Sequence, residues 1–283
     1  MTQTAKIVDA TTGRTVNVQY AVSMRQGQRP YQEDAYEVFR DDAEHRFLLY
    51  GIFDGHGGSK FSRHAKEHIF DIILKEGGHF ARGEYKEALR AAFKKEDSLM
   101  HGIDNPAERG GTTATVAIIT PTDLYVANVG DSRAIVGLVT GDSVKALRVT
   151  KDHNLADPKE KQRVIEAGAT VRADRVIEEG HGLNMTRALG DFEFKTDCVK
   201  KDVVLAEPHL KHIPLDEKLR FIVLASDGLW DVTTDQELAD VIQLNIKGGF
   251  APDEVVNENT AVVAKKFGSD NITMILAVLD LQQ

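Results

Sequence analysis

Four aspartates in this chain stand at the ends of short hydrophobic runs, each beside a glycine or an asparagine. They are Asp54, Asp131, Asp227 and Asp270. Strands buried in one core bring their ends together, so we expect the four carboxylates to meet. Carboxylates that meet at neutral pH repel one another unless a cation lies between them. Hard oxygen ligands on a rigid scaffold suit Mg²⁺ or Mn²⁺, so the pattern predicts a multinuclear metal site.

A simpler explanation exists for each aspartate taken alone. An Asp-Gly pair after a strand is also an ordinary hairpin turn. For one such position turn chemistry is the better explanation, because both residue types suit turns on conformational grounds. Four positions, together with the segments described below, favour the metal site instead.

The hydrophobic runs that must position these carboxylates are strand-like. Three of them, at 46–53, 124–129 and 220–226, precede their aspartates, and the fourth, ITMILAVL, follows Asp270. Between residues 113 and 149, four strand-like runs follow one another with no helix between them. Consecutive strands joined by short turns must pair antiparallel, which excludes a doubly wound parallel sheet for this region.

Helices are predicted on both sides of these strands. Apolar residues at helical spacing predict helices over 59–74 and 84–100. Capping residues and proline predict further helices over 157–168, from 234 to about 244, and over 252–267, the last ended by Gly268. Segregated helix pairs and antiparallel strands predict an α+β fold built in layers.

Composition excludes several classes of function. The chain has 283 residues, a net charge of −9 and a pI near 5.6, which argues against nucleic acid as a partner. No run approaches the ~18 apolar residues that span a bilayer, so we expect no membrane partner. Cys198 is the only cysteine, which fits a reducing compartment, and we expect a cytoplasmic or nuclear monomer. We expect one domain over residues 1–283, with a loop-rich flap at about 155–200.

Eight segments in order along the chain carry a resemblance to a known family. They are RPYQEDAY at 29–36, FDGHGG at 53–58, GGTTAT at 110–115, ANVGDSRA at 127–134, TKDHN at 150–154, TRALGD at 186–191, ASDGLWDV at 225–232 and GSDNIT at 268–273. One segment alone is weak evidence, but eight in the family's order are highly specific. The sequence is similar to the metal-dependent protein serine/threonine phosphatases of the PP2C (PPM) family.

This resemblance implies a four-layer αββα sandwich of two antiparallel sheets flanked by helix pairs. It implies two Mn²⁺ or Mg²⁺ ions per subunit, and a weaker third ion, at one end of the sandwich. On the family pattern Asp54 bridges both ions and the Gly55 carbonyl binds the second. Asp227 and Asp270 bind the first.

The remaining site residues are implied in the same way. Glu33 and Asp34 correspond to acids that orient metal-bound water, and Asp131 joins in holding the third ion. Arg29 matches the phosphate-binding arginine, whose planar fork fits phosphate oxygens. His56 directly follows the bridging Asp-Gly pair and can supply a proton near neutral pH.

The implied reaction is hydrolysis of phosphoserine and phosphothreonine in phosphoprotein substrates. A metal-bridging hydroxide attacks phosphorus without a phosphoenzyme, and His56 protonates the leaving oxygen. A cysteine phosphatase fits badly, because the position six after Cys198 is Val204 rather than arginine. The alternative from another class is a catalytically silent phosphoprotein-binding pseudophosphatase, and the retained metal ligands count against it. Other histidines, including His64 and His68, have no comparable sequence context.

Overall fold

The computed structural model describes residues 1–105, 109–178, 180–195 and 202–282. The strands are β1 Gln3–Val8, β2 Thr15–Arg25, β3 Ala35–Arg40, β4 Leu48–Phe53, β5 Gly55–His56, β6 Gly111–Thr112, β7 Ala114–Ile119, β8 Asp123–Val129, β9 Arg133–Thr140, β10 Ser143–Arg148, β11 Thr170–Arg172, β12 Arg175–Glu178, β13 His181–Leu183, β14 Leu189–Gly190, β15 His209–Pro214, β16 Leu219–Ala225 and β17 Ile272–Gln282. The helices are α1 Lys60–Lys75, α2 Tyr85–His101, α3 Pro158–Glu166, α4 Asp227–Trp230, α5 Asp235–Lys247 and α6 Pro252–Ala264, with 3₁₀ turns at Glu76–Gly78, Phe80–Arg82 and Phe192–Phe194.

Two large antiparallel sheets form the centre of the fold. One has six strands in the order β1-β2-β17-β16-β9-β10, and the other has five in the order β15-β8-β7-β4-β3. Apolar side chains from both sheets, such as Val126 and Ile222, form one buried cluster. Within it the rings of Tyr20 and Tyr50 meet edge to face, with centroids 5.4 Å apart. Burial of this shared face stabilises the packing of the two sheets, and this packing fixes the positions of their strand ends relative to each other.

Helix pairs cover the outer faces of both sheets. The apolar stripe of α1 and α2, including Phe61 and Phe93, packs on the five-stranded sheet. That of α5 and α6, including Ile242 and Val256, packs on the six-stranded sheet. This arrangement confirms the predicted α+β fold with four αββα layers.

The predicted elements agree with the structure apart from their ends. The capping box at Thr234 is formed, because its hydroxyl accepts from Glu237 N–H while the Glu237 carboxylate accepts from Thr234 N–H. The helix predicted over 252–267 instead ends at Ala264. Ser269 Oγ donates to the Ala264 carbonyl, one of the groups left without a partner at a helix end. This side-chain bond caps the helix end at Ala264, four residues before Gly268.

The expected antiparallel pairing of consecutive strands is correct for β7 with β8 and for β9 with β10. It is wrong for β8 and β9, which belong to different sheets. Gly130 between them has φ +88°, and a Cβ there would lie 2.5 Å from Thr113 Cγ2. Only glycine fits this crossing easily. Asp131 is consequently placed between the two sheets.

The described part of the flap contains more regular structure than its sequence indicates. It holds α3 and the antiparallel sheet β11-β12-β13. Val164, Val176, Leu183 and Phe194 belong to a small apolar cluster of its own. Cys198 lies outside the described residues. In the part of the chain that the structure describes, no helix is long and apolar enough to cross a bilayer.

Candidate active site

A cavity of about 450 Å³ lies where the strand ends of the two sheets meet. Eight of the predicted site residues line it: Arg29, Glu33, Asp54, Gly55, His56, Asp131, Asp227 and Asp270. The ninth, Asp34, is buried and interacts with the Asp54 side chain. Residues from both sheets and their connections are thus brought together as expected.

Asp54 is positioned through its backbone at the end of β4. Its N–H donates to Thr113 Oγ1 at 3.1 Å, and its carbonyl accepts from Thr113 N–H at 2.9 Å. The Thr113 hydroxyl also bonds Ser132 Oγ at 2.7 Å. This buried chain ties Asp54 to the β8–β9 crossing that carries Asp131.

Asp34 is held by two hydroxyl groups, one directly after β16 and one in β17. Its Oδ2 accepts from Ser226 Oγ at 2.9 Å and from Thr273 Oγ1 at 2.7 Å. Its other oxygen, Oδ1, is buried without a hydrogen-bond partner among the described residues. A buried carboxylate oxygen left unpaired is costly, so this atom calls for a proton or a cation.

The segment that carries Arg29 and Glu33 is fixed by one asparagine. Asn271 Oδ1 accepts from Glu33 N–H at 2.8 Å. The Asn271 amide donates to Tyr31 O at 3.0 Å and to Gln26 O at 2.8 Å. Because Asn271 follows Asp270 directly, this network places Asp270 and Glu33 on the same cavity.

Gly55 lines the cavity, and its backbone packs closely against neighbouring segments. A Cβ there would lie 2.6 Å from Glu33 O and 2.8 Å from Ser62 Oγ. Ser62 Oγ in turn donates to Glu33 O. The position thus excludes any side chain, and glycine lets these segments pack together.

Each acid in this cluster makes ionisation of its neighbours less favourable. Burial, then the neighbouring carboxylates, raises the pKa of Asp54 and of Asp227 well above the ordinary range. Burial is also the main cause that raises the pKa of Asp131 and of Asp34 to about 6. Asp231 lies close enough to add to the repulsion on Asp227. An oxygen-only donor set with unrelieved negative charge fits a hard divalent cation.

Arg29 reaches this cavity through Asp270. Its guanidinium pairs with the Asp270 carboxylate, and 58% of its side chain remains exposed. Arg29 therefore stands at the solvent side of the cavity.

His56 has a partner that the sequence did not indicate. Its Nε2 lies 2.8 and 2.9 Å from the two carboxylate oxygens of Asp191. Burial, the largest cause, opposes the charged imidazolium, but Asp191 together with Asp131 and Glu193 raises the pKa of His56 on balance. His56 Nδ1 is buried and has no hydrogen-bond partner among the described residues. The sequence showed Asp191 only as the last residue of TRALGD. No local pattern in the sequence connects it to His56, which lies 135 positions earlier in the chain.

Two further arginines, from outside the predicted set, line the cavity. They are Arg109 and Arg175. The Arg175 guanidinium donates to the Gly182 carbonyl at 2.9 Å, which holds it on β12 of the flap. These cations give the acidic cavity a positively charged side.

The comparisons with known proteins agree with this geometry. The family model described as "Protein phosphatase 2C" matches residues 19–272. The chain is 33% identical over 258 residues to "Probable protein phosphatase 2C 45" of Oryza sativa subsp. japonica, covering 91% of this chain and 86% of that protein. It is 30% identical over 303 residues to "Probable protein phosphatase 2C 2" of Paramecium tetraurelia, covering 99% and 98%.

A solved structure shows the same architecture. A serine-threonine phosphatase 2C from Toxoplasma gondii superposes with a TM-score of 0.80 at 18% identity, covering 99% of both chains. The family model and the relatives identify a metal-dependent hydrolase. The chain belongs to the protein phosphatase 2C family. It is accordingly a phosphoprotein phosphatase, and no comparison favours the silent phosphoprotein-binding alternative.

Proposed function

We propose that this phosphatase hydrolyses phosphoserine and phosphothreonine by direct attack of water on phosphorus, without a phosphoenzyme. The observation that carries the proposal is a single cavity that unites an acidic cluster with Arg29 and His56. The acids offer cation sites, the arginine suits phosphate oxygens and the histidine supplies a proton. Phosphoryl transfer depends on such positioned charge more than on covalent chemistry by the protein.

We also propose that two Mn²⁺ or Mg²⁺ ions bind in this cavity, with a weaker third ion at Asp131 and Asp227. Asp54, Asp227, Asp270 and the Gly55 carbonyl would hold the two main ions. When bound, the ions lower the pKa of water enough to supply a nucleophile near neutral pH and offset charge on the phosphoryl oxygens. Buried Asp34 and the neighbouring Glu33 would accept hydrogen bonds from water and so orient it.

Arg29 is proposed to bind the phosphate group. Its guanidinium offers a planar fork of donors that matches two phosphate oxygens. Asp270 holds it at the cavity in this structure. Because the same carboxylate is a proposed metal ligand, Arg29 is free to turn toward phosphate when Asp270 serves that role.

His56 is proposed to protonate the leaving serine or threonine oxygen. Asp191 accepts from Nε2–H, which orients the ring and stabilises the charged imidazolium. The proton available for transfer is therefore the one on Nδ1, which has no acceptor among the described residues. An alkoxide leaves poorly unless it is protonated, so this step matters most for natural substrates.

The test is hydrolysis of a ³²P-labelled phosphothreonine peptide with Mn²⁺ or Mg²⁺ and after dialysis against chelator. We expect activity with metal, none after chelation, and recovery on adding metal back. Rapid quenching during turnover should find no label on the protein. Full activity in chelator with no metal by elemental analysis would exclude the metal-dependent reaction, and trapped label would exclude direct attack by water.

We further propose that the protein acts as a monomer in the cytoplasm or nucleus. One cysteine in 283 residues supports a reducing compartment. Light scattering after size exclusion should give one chain mass, about 31.2 kDa. Fractionation of cells that make the protein should recover it from cytosol or nuclei, and recovery from a secreted or organelle fraction would contradict the location.

A further inference from the structure

A second group of possible metal ligands lies between α1 and α2. It consists of His64, His68 and Glu96, each of which offers one ligand atom within 4.8 Å of the others. The two histidines are four residues apart on α1, so they share one face of that helix. None of the three lines the acidic cavity. We refer to this group as the interhelix cluster.

The tautomer of His68 leaves a nitrogen available to a metal. Its Nδ1–H donates to the backbone carbonyl of His64 at 2.8 Å. The free lone pair is then on Nε2. Metal-binding histidines commonly donate their other N–H to a backbone carbonyl in this way, which fixes the ring orientation. The His64 and His68 rings are stacked with centroids 4.1 Å apart, so the two imidazoles lie against each other.

Glu96 supplies a carboxylate that lacks a full set of partners. Its side chain is completely buried, and its Oε1 lies 2.7 Å from His64 Nδ1. Its Oε2 is buried with no hydrogen-bond partner among the described residues. Burial raises the pKa of Glu96 to about 7 and lowers that of His64. The buried, unpartnered Oε2 of Glu96 therefore calls for a proton or a cation.

We propose that His64, His68 and Glu96 form a binding site for a Zn²⁺ ion, separate from the catalytic centre. Two imidazoles and one carboxylate are a donor set that Zn²⁺ accepts with one position left open. Imidazole nitrogen selects transition metals over Mg²⁺, which prefers oxygen. Ligands of tetrahedral Zn²⁺ lie ~3.3 Å apart given Zn–N distances of ~2.0–2.1 Å, so modest side-chain rotations complete the site. The bound ion would join α1 to α2.

The test measures Zn²⁺ binding to the full chain by equilibrium dialysis in saturating Mg²⁺, which occupies the oxygen sites. We expect about one Zn²⁺ per chain. His68→Gln should weaken this binding more than ~100-fold, since even indirect contacts to a metal are worth 10–100-fold. His45→Asn, at an exposed histidine outside the cluster, should leave it unchanged. Asp227→Asn should also leave it unchanged, because Asp227 lies in the catalytic cavity.

Co²⁺ gives a second measurement that does not depend on activity. Cobalt bound tetrahedrally by imidazole absorbs visible light much more strongly than cobalt in an octahedral oxygen site. The wild type should show the strong bands and His68→Gln should not, while retaining the wild-type circular dichroism. The proposal is overturned if the wild type binds no Zn²⁺ in Mg²⁺, if His68→Gln binds it equally well, or if Asp227→Asn abolishes the binding.

Discussion

Asp34→Asn should stabilise the metal-free enzyme, by an amount that depends on pH. Burial raises the pKa of Asp34 from 3.8 to about 6, although Thr273 and Ser226 donate hydrogen bonds to it. The folded state therefore binds this proton more tightly than the unfolded state. The bound proton stabilises the folded state fully at pH values below the pKa of Asp34 in the unfolded chain. This stabilisation is lost as pH rises through the pKa of Asp34 in the folded state. At about 1.4 kcal/mol per pKa unit, the loss approaches about 3 kcal/mol at pH 7.5 and is roughly half of that at pH 5.

The variant removes the charge and retains the shape. An amide oxygen at position 34 can still accept from Ser226 and Thr273, and its N–H₂ can donate toward Asp54. In chelator we expect a gain of up to about 3 kcal/mol at pH 7.5 and roughly half of that at pH 5. Urea unfolding can be followed through Trp230, the only tryptophan, which is 6% exposed. Asp280→Asn, at an exposed aspartate of β17, is the matched control.

Added Mg²⁺ should shrink or reverse the gain, because the charge of Asp34 then has a cation nearby. The reasoning is refuted if the folded variant is no more stable than the wild type at pH 7.5 in chelator. It is also refuted if the gain is equal at pH 5 and pH 7.5, since a buried charge must act through its titration.

Asp227→Asn should abolish turnover. In chelator the variant should melt at or above the wild-type temperature, because the substitution removes a buried charge repelled by its neighbours and keeps the side-chain volume. A large loss of melting temperature with a near-normal rate would show a structural role. His56→Ala should slow phosphothreonine peptide hydrolysis by ~10²–10⁴-fold and an aryl phosphate far less, because only the alkoxide needs a proton. Equal losses on both substrates, at unchanged metal affinity, would contradict that role. Asp191→Asn should show the same substrate dependence with a smaller loss and a shifted pH–rate profile, and an unchanged profile would show that Asp191 does not act through His56.

The fold and much of the cavity follow from local sequence. Buried strands such as β4 are continuous apolar runs, and the turn residues after them mark where they end. Asp54 and Asp227 each follow such a run directly, so a shared core suffices to bring them together. The capping box at Thr234 is equally local, since both of its hydrogen bonds join residues three apart.

What the sequence could not show depends on contacts between distant residues. The crossing from β8 to β9 looks like any short turn, and only packing decides that these strands join different sheets. Asp191 meets His56 across 135 positions, through a flap whose path is set by its own small core. Glu96 meets His64 across 32 positions, on a separate helix. Hydrophobic periodicity places each residue on one face of its helix, but it does not show which neighbouring element that face contacts.

The acidic cluster at the centre of the cavity keeps its mutual repulsion despite the cations around it. Arg133, a nearby cation, is already committed to Asp152 and Asp235, with N–O distances of 2.6 Å to each. Arg29 pairs with Asp270 alone. Burial, followed by the charge of the neighbouring acids, raises the pKa of Asp54 and of Asp227. Its stability is therefore lowest where the carboxylates are ionised and no ion is bound, which is also the state most ready to take up a divalent cation. The repulsion that weakens the metal-free fold thus also drives metal binding. Removing it at Asp34 or Asp227 should therefore stabilise the metal-free fold and weaken metal binding.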